Sequence, residues 1–165
     1  MTDILLKNSG IYFSYRVGAI IIQNNHILMV KNENCPYYYS VGGGIQFGET
    51  SEDAVLREIY EETNIRLEID RLVFIHENFF IADFMNDTPF QEIRFFYIMK
   101  INDDIKNINC SSNGVDGSKD SLHWLPIDKL SEYQLFPEFY KIELQNLTTD
   151  VRHFIAKNGT TTRVK

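Results

Sequence analysis

The sequence predicts an α+β domain in which helices flank a mixed β-sheet. Several runs of β-branched and aromatic residues, separated by Gly, Pro, Asn and Asp, read as strands. One strongly helical stretch, Thr50 to Thr63, stands in the middle of those runs, and a second helical pattern follows near the C-terminus. With 44% hydrophobic and 24% charged residues over 165 positions, the chain reads as one globular domain spanning 1–165 with a core of its own.

In chain order, "YRVGAIIIQNNHILMVK" predicts a hairpin: a strand from Val17 to Ile22, a turn at Asn24-Asn25, and a return strand from Ile27 to Val30. Tyr37 to Val41 forms a short aromatic strand running into Gly42-Gly43-Gly44. For the helix, Thr50 suits the N-cap and Asp53 reaches back to it, as in a capping box. Glu52 and Asp53 also favour the positive end of the helix dipole, and Asn64 suits the left-handed residue that stops the helix. "LEIDRLVFIHENFF" and "FQEIRFFYIMKI" predict two long strands. The polar segment 102–118 reads as a surface loop, and "DSLHWLPIDKL" as a strand closed by Pro126. In "EYQLFPEFYKIELQNL", Leu135, Phe139, Ile142 and Leu147 form a helical face, with Pro137 in the first turn. "VRHFIA" adds a short strand, and the polar tail from residue 157 is expected to fray.

The formal net charge of −7 argues against binding to a nucleic-acid polymer, whose phosphates call for a basic surface. A small phosphate-bearing ligand stays compatible if metal ions mediate the contact. Cys35 and Cys110 give neither a disulfide framework nor zinc-ligand spacing. "MTDILLKNSG" lacks the pattern of a signal peptide, and no apolar run approaches the ~20 residues of a membrane span. The expectation is therefore a cytoplasmic protein with no membrane partner.

The unusual stretch is "VGGGIQFGETSEDAVLREIYEETNI". At roughly 100° per residue, Val55, Leu56 and Ile59 form an apolar stripe, while Glu58, Glu61 and Glu62 share a face beside it. Clustered carboxylates at the margin of a buried stripe repel one another unless a cation sits among them. Hard divalent cations, Mg²⁺ above all, are held by a few carboxylates together with substrate phosphates and water. The plainer alternative is a solvated face in which Arg57 pairs with Glu61.

Gly43, Glu49 and the run Arg57-Glu58-Ile59-Tyr60-Glu61-Glu62-Thr63-Asn64-Ile65 resemble the Nudix box of the MutT-like hydrolases, G-x5-E-x7-R-E-U-x-E-E-x-G-U. Asn64 departs from the box, standing where the family has Gly, and Val41 stands where many members have Pro. The resemblance implies an α/β/α sandwich. It also implies hydrolysis of a nucleoside diphosphate linked to another moiety, by water attack on phosphorus with Mg²⁺, or Mn²⁺ in its place. Glu58, Glu61 and Glu62 match the family's metal-binding glutamates, completed by a carbonyl of the Gly42-Gly43 turn. Arg57 matches the residue that orients them, and Glu49 one that supports the loop, whose backbone includes Gly44. Relatives without activity usually lose box glutamates; this chain keeps them, which favours an enzyme over a nucleotide-binding sensor domain.

Outside the box, Glu92 interrupts an apolar run and is a candidate general base or further ligand, with a solvent-facing strand position as the alternative. Glu77 is a weaker candidate of the same kind. Arg16 and Arg94 are candidates for substrate phosphate, and Tyr39 for stacking on a base. His76, His123 and His153 form no ligand set by spacing, and Trp124 reads as core. Neither Ile81 and its neighbours nor Asp83-Phe84 carry the marker residues of the ADP-ribose or dinucleoside polyphosphate types. The partner expected is thus a nucleoside diphosphate-containing small molecule of open identity; a homodimer is also left open.

Overall fold

The structure is a computed structural model that describes residues 2–82, 85–108, 111–113, 119–157 and 159–164. Its strands are β1 (Leu5–Asn8), β2 (Ile11–Ile20), β3 (Ile22–Gln23), β4 (His26–Asn32), β5 (Tyr38–Ser40), β6 (Glu68–Ala82), β7 (Thr88–Lys100), β8 (Ser111–Asn113), β9 (Lys119–Pro126), β10 (Leu135–Phe136), β11 (Arg152–Lys157) and β12 (Thr160–Arg163). The α-helices are α1 (Ser51–Thr63) and the single turn α2 (Tyr140–Glu143). One mixed sheet runs β1-β2-β7-β6-β11-β12, and a second runs β10-β5-β4-β9-β8 with β3 on β4. The α+β class stands, with two mixed sheets where the sequence suggested one.

Strand β2 joins the layers. On one edge it pairs in parallel with β7, from Tyr12↔Phe90 to Ile20↔Ile98. On the other edge β1 covers its first residues, and then the glycine turn takes over: the Val17 N–H donates to the Gly43 carbonyl at 2.9 Å and the Ala19 N–H to Val41 at 2.8 Å. A fully satisfied central strand needs an apolar run on both faces, which Val17–Ile22 supplies. Val17 and Ala19 point to a core shared with Ala54, Val55 and Ile59 of α1. Ile20 points the other way, to Phe74, Phe96, Phe139, Tyr140, Leu144 and Phe154. The helix α1 and the C-terminal helical turns therefore cover opposite faces.

Several expectations are corrected by long-range pairing. The predicted hairpin is shorter: only Ile22–Gln23 pairs with β4 across Asn24 and Asn25, both at positive φ, because β2 takes β7 as its partner. The predicted C-terminal helix shrinks to Tyr140–Glu143 and a 3-10 turn, Leu144–Asn146. Pro137 offers no N–H, and Leu135–Phe136 instead extends the second sheet beside Tyr38–Tyr39. Ile142 of the supposed apolar face is 73% exposed, whereas Phe139, Tyr140 and Leu144 are buried. The tail carries a strand, since Thr160–Arg163 pairs with β11 as a fully exposed edge. Within 102–118, Asp103–Asn107 is a 3-10 turn and Ser111–Asn113 pairs with β9, while Cys110 and Asp83-Phe84 lie outside the described residues. Among the described residues no helix is long and apolar enough to cross a membrane.

Candidate active site

The ends of α1 follow their local chemistry. The Thr50 side chain accepts from the Asp53 N–H at 3.1 Å, closing the first turn. Asn64 sits in the left-handed region at φ 57, ψ 22, and its N–H donates to the Tyr60 carbonyl at 2.9 Å. Between these caps, Ala54, Val55 and Ile59 are buried, which fixes the rotation of the helix about its axis. That rotation turns Glu58 and Glu62 toward the glycine turn and leaves Glu61 outermost, its side chain 55% exposed against 12% for Glu58.

Arg57 is the hub of the turn. Its Nε and Nη2 donate to the two oxygens of Glu49 at 2.8 and 3.0 Å, a bidentate pair. Nη2 also reaches the Gly44 carbonyl at 2.9 Å, and Nη1 reaches Glu58 at 2.6 Å and Glu61 at 3.1 Å. Glu49 in turn accepts from the Gln46 N–H at 3.0 Å. The hydrogen bond from Arg57 holds the Glu49 carboxyl below its ordinary range, and the same bond raises the guanidinium. One cation thus ties helix, loop and three carboxylates together.

The glycines are there for space. A Cβ on Gly43 would fall 2.4 Å from the Glu58 carboxylate, and one on Gly42, at φ +136, would fall 2.3 Å from the Val17 carbonyl oxygen. The Gly42 N–H donates to Glu62 at 3.2 Å. Burial raises the Glu58 carboxyl despite Arg57. Burial likewise pushes Glu62 up to about 8; Glu58 and Asp120 add to this, against the Gly42 N–H and Arg16. Two desolvated carboxyls therefore face the turn, one bound by Arg57 and one by the Gly42 N–H, and burial outweighs both partners.

This donor set fits a hard divalent cation. The oxygens are carboxylate and carbonyl, the ligand type Mg²⁺ takes, and Gly43 leaves its Cβ space to Glu58. Among the described residues no group of three or more Asp, Glu, His or Cys side chains is arranged to hold a metal ion by itself. Mg²⁺ asks for no such cage, since substrate phosphates and water complete its shell.

The candidates outside the box gather across the strands. Glu92 and Arg94 project from β7, and parallel pairing sets them beside Ser14 and Arg16 of β2. Arg94 Nη2 lies 3.0 and 3.1 Å from the two oxygens of Glu92; Arg16 Nε lies 3.5 Å away and the Ser14 hydroxyl 3.4 Å. Burial works against the Glu92 charge, yet the two guanidiniums hold its carboxyl below the usual range. Arg16 also bridges to Gly44 in the backbone and lowers both Glu58 and Glu62, so it stands between the two clusters. Tyr39 is nearby but committed: its hydroxyl donates to Asp120 at 3.1 Å, and burial raises its pKa. Glu77 is set apart, paired with His153 at 2.8 Å.

The place that Asp120 and His76 take beside the site was not legible in the sequence. Asp120 accepts from Asn32 at 2.7 Å as well as from Tyr39, and its charge is felt at Glu62. Its only signal was an acid near the start of a predicted strand. His76 is buried beside Arg94 in the register of β6 on β7; burial, then Arg94, lower it to about 4, so it is neutral. No spacing rule announces such a histidine.

Fold and box together define a NUDIX domain. The NUDIX domain family model matches residues 13–145, and the chain belongs to that family. Among similar proteins is an "ADP-ribose pyrophosphatase" of Methanocaldococcus jannaschii, 37% identical over 78 residues, covering 44% of this chain and 46% of that one. A "MutT-like protein" of Streptomyces ambofaciens is 31% identical over 61 residues, covering 37% and 40%. The match thus spans less than half the length of these curated relatives. In three dimensions, the mutator MutT protein of Bacillus halodurans superposes with a TM-score of 0.63 at 15% identity, over 90% of this chain and 94% of that one, a likeness of fold.

Proposed function

We propose that the chain is a divalent-metal-dependent pyrophosphohydrolase acting on a nucleoside diphosphate linked to another moiety. The observation that carries this is the pair of desolvated carboxyls, Glu58 and Glu62, turned together toward the glycine turn, with Arg57 on Glu58 and the Gly42 N–H on Glu62. Family membership and relatives named as pyrophosphatases support the reading. Glu58 and Glu62, with the Gly43 carbonyl, would hold Mg²⁺ or Mn²⁺, and Glu61 stands ready at the outer edge. A metal bound there neutralises diphosphate charge, polarises P–O bonds and lowers the pKa of water.

The chain's own residues do the rest. Arg57 fixes the rotamers of Glu58 and Glu61 through Nη1, so the carboxylates are aimed before substrate arrives. Glu49 locks Arg57 in place. Arg16 and Arg94 supply the positive charge for substrate phosphate that a chain of net charge −7 otherwise lacks. The test is a phosphate-release screen over nucleoside triphosphates, nucleotide sugars, ADP-ribose and dinucleoside polyphosphates, with Mg²⁺ and with Mn²⁺. Turnover of at least one class, abolished by EDTA and restored by metal, is expected. Full turnover in excess EDTA would overturn the metal dependence.

A further inference from the structure

On the strand side of the site, two guanidiniums share one carboxylate. Arg16 and Arg94 are directly opposite in the β2–β7 register, a placement in which like charges repel. Glu92 lies between them and engages both oxygens: Oε1 with Arg94, Oε2 with Arg94, Arg16 and Ser14. Glu92 supplies one negative charge to two guanidiniums, with Glu58 and Asp3 acting on Arg16 from further off. Arg94 Nε is buried without a hydrogen bond, and Arg16 Nε faces Glu92 as an ion pair at 3.5 Å without hydrogen-bond geometry. The neutral His76 alongside adds no counter-charge. On the other side of the glycine turn carboxylates outnumber cations: Arg57 binds Glu49, Glu58 and Glu61, and Glu62 accepts from the Gly42 N–H.

We propose that Glu92 is a resident anion that keeps Arg16 and Arg94 ordered for the second phosphate of the substrate, and is not the base that activates water. A general base needs an unengaged oxygen facing the water and a pKa near the working pH. Glu92 has neither, since both oxygens are taken by guanidiniums that hold it as a carboxylate. A phosphate is a charged, multivalent acceptor that suits the planar guanidinium fork as a carboxylate does. The two halves of the site then orient the diphosphate: one phosphate lies at the glutamates, the next over the arginine pair. Glu92 is a positioning residue that stays paired with the guanidiniums while the anion takes their remaining N–H groups.

This role rests on the pyrophosphohydrolase reading for its meaning, but its first test does not need turnover. Inorganic pyrophosphate is titrated calorimetrically into the intact chain in EDTA, so that only the arginine half is probed. Glu92→Gln, which removes the resident anion and keeps its shape, is expected to bind pyrophosphate at least threefold more tightly than wild type. Arg94→Met is expected to bind at least tenfold more weakly. Equal or weaker binding by Glu92→Gln, or unchanged binding by Arg94→Met, would overturn the assignment. Should Glu92→Gln fail to fold by circular dichroism, Glu92→Met takes its place with the same expectation, since Arg94→Met tests the arginine and not the carboxylate.

The second test uses Mg²⁺ and whichever nucleotide the screen turns over. Glu92→Gln is expected to lower KM, to change kcat by less than tenfold, and to leave the acidic limb of the pH profile in place. A general base would instead cost ~10²–10⁴ in kcat and shift that limb, which would overturn the assignment. If nothing is turned over while the titration behaves as expected, the hydrolase reading fails and the anion subsite stands.

Discussion

The acidic and the basic halves of the site are built in opposite ways. The acidic half is local: Arg57 and Glu49 are 8 residues apart, and the carboxylates they organise lie on one helix face. The basic half is assembled across the fold, with Ser14 and Glu92 separated by 78 residues and united only by parallel pairing of β2 with β7. A local cluster is specified by helix periodicity and one glycine turn. A distributed cluster depends on sheet order and register, in which a one-residue slip would turn every side chain to the other face.

The sharpest way to break the comparison is to remove charge from the local half. Glu58→Gln and Glu62→Gln keep side-chain shape, so their effect reads the carboxylate alone. Each is expected to depress turnover about a thousandfold, the equivalent of ~4 kcal/mol of transition-state stabilisation. Glu61→Gln, at an exposed position, should cost less. Measured at saturating Mg²⁺, near-wild-type kcat in both Glu58→Gln and Glu62→Gln would reduce the box to a structural helix.

The difference between the halves also explains what the sequence could disclose. The helix limits, the Thr50 and Asn64 caps and the inward turn of Glu58 and Glu62 all follow from spacing within fifteen residues or so, and they stand in the structure. Glu92, Arg16 and Arg94 could be nominated one by one as charges interrupting apolar strands, but nothing local said that they meet. Asp120 and His76 are unreadable for the same reason: their partners, Asn32 and Arg94, come from other strands. The C-terminal segment fails differently. Its helical spacing of Leu135, Phe139 and Ile142 is real, yet Leu135–Phe136 finds a better outlet in the open edge of β5. Sheet pairing overrides weak periodicity where the helix would be one or two turns long.

A smaller effect separates the halves by pH. The folded-state pKa of Glu62, about 8, lies above the ordinary carboxylate value, so the metal-free fold retains a proton that the unfolded chain loses. Its contribution is present below the unfolded value and is lost as pH rises through about 8. Metal-free wild type should therefore melt lower at pH 8.5 than at pH 5.5, and Glu62→Gln should recover on the order of 2–4 kcal/mol at the higher pH only. Glu92, with its lowered carboxyl, has the opposite sign: its contribution is lost as pH falls. A Glu62→Gln variant no more stable than wild type at pH 8.5 in EDTA would mean that this carboxylate is not short of positive charge.

The smallest effect concerns the residue where the chain departs from the family box. Asn64 adopts the left-handed conformation at φ 57, with its N–H tied back to Tyr60, so the helix stops as a glycine would stop it. Asparagine tolerates this region because its short polar side chain can bond locally, whereas a β-branched residue meets the following carbonyl. Asn64→Gly is accordingly expected to be within about 0.5 kcal/mol of wild type, the ease of Gly at positive φ offset by its looser unfolded chain. Asn64→Val should cost ~1–2 kcal/mol, read as a shift in denaturation midpoint at constant m-value. Because Glu61 and Glu62 lie in the last turn, the same strain should also weaken Mg²⁺ binding in Asn64→Val and leave it unchanged in Asn64→Gly. Equal midpoints for all three chains would show that the stop is set by packing of the neighbouring Thr63 and Ile65, both buried, and not by the backbone at 64.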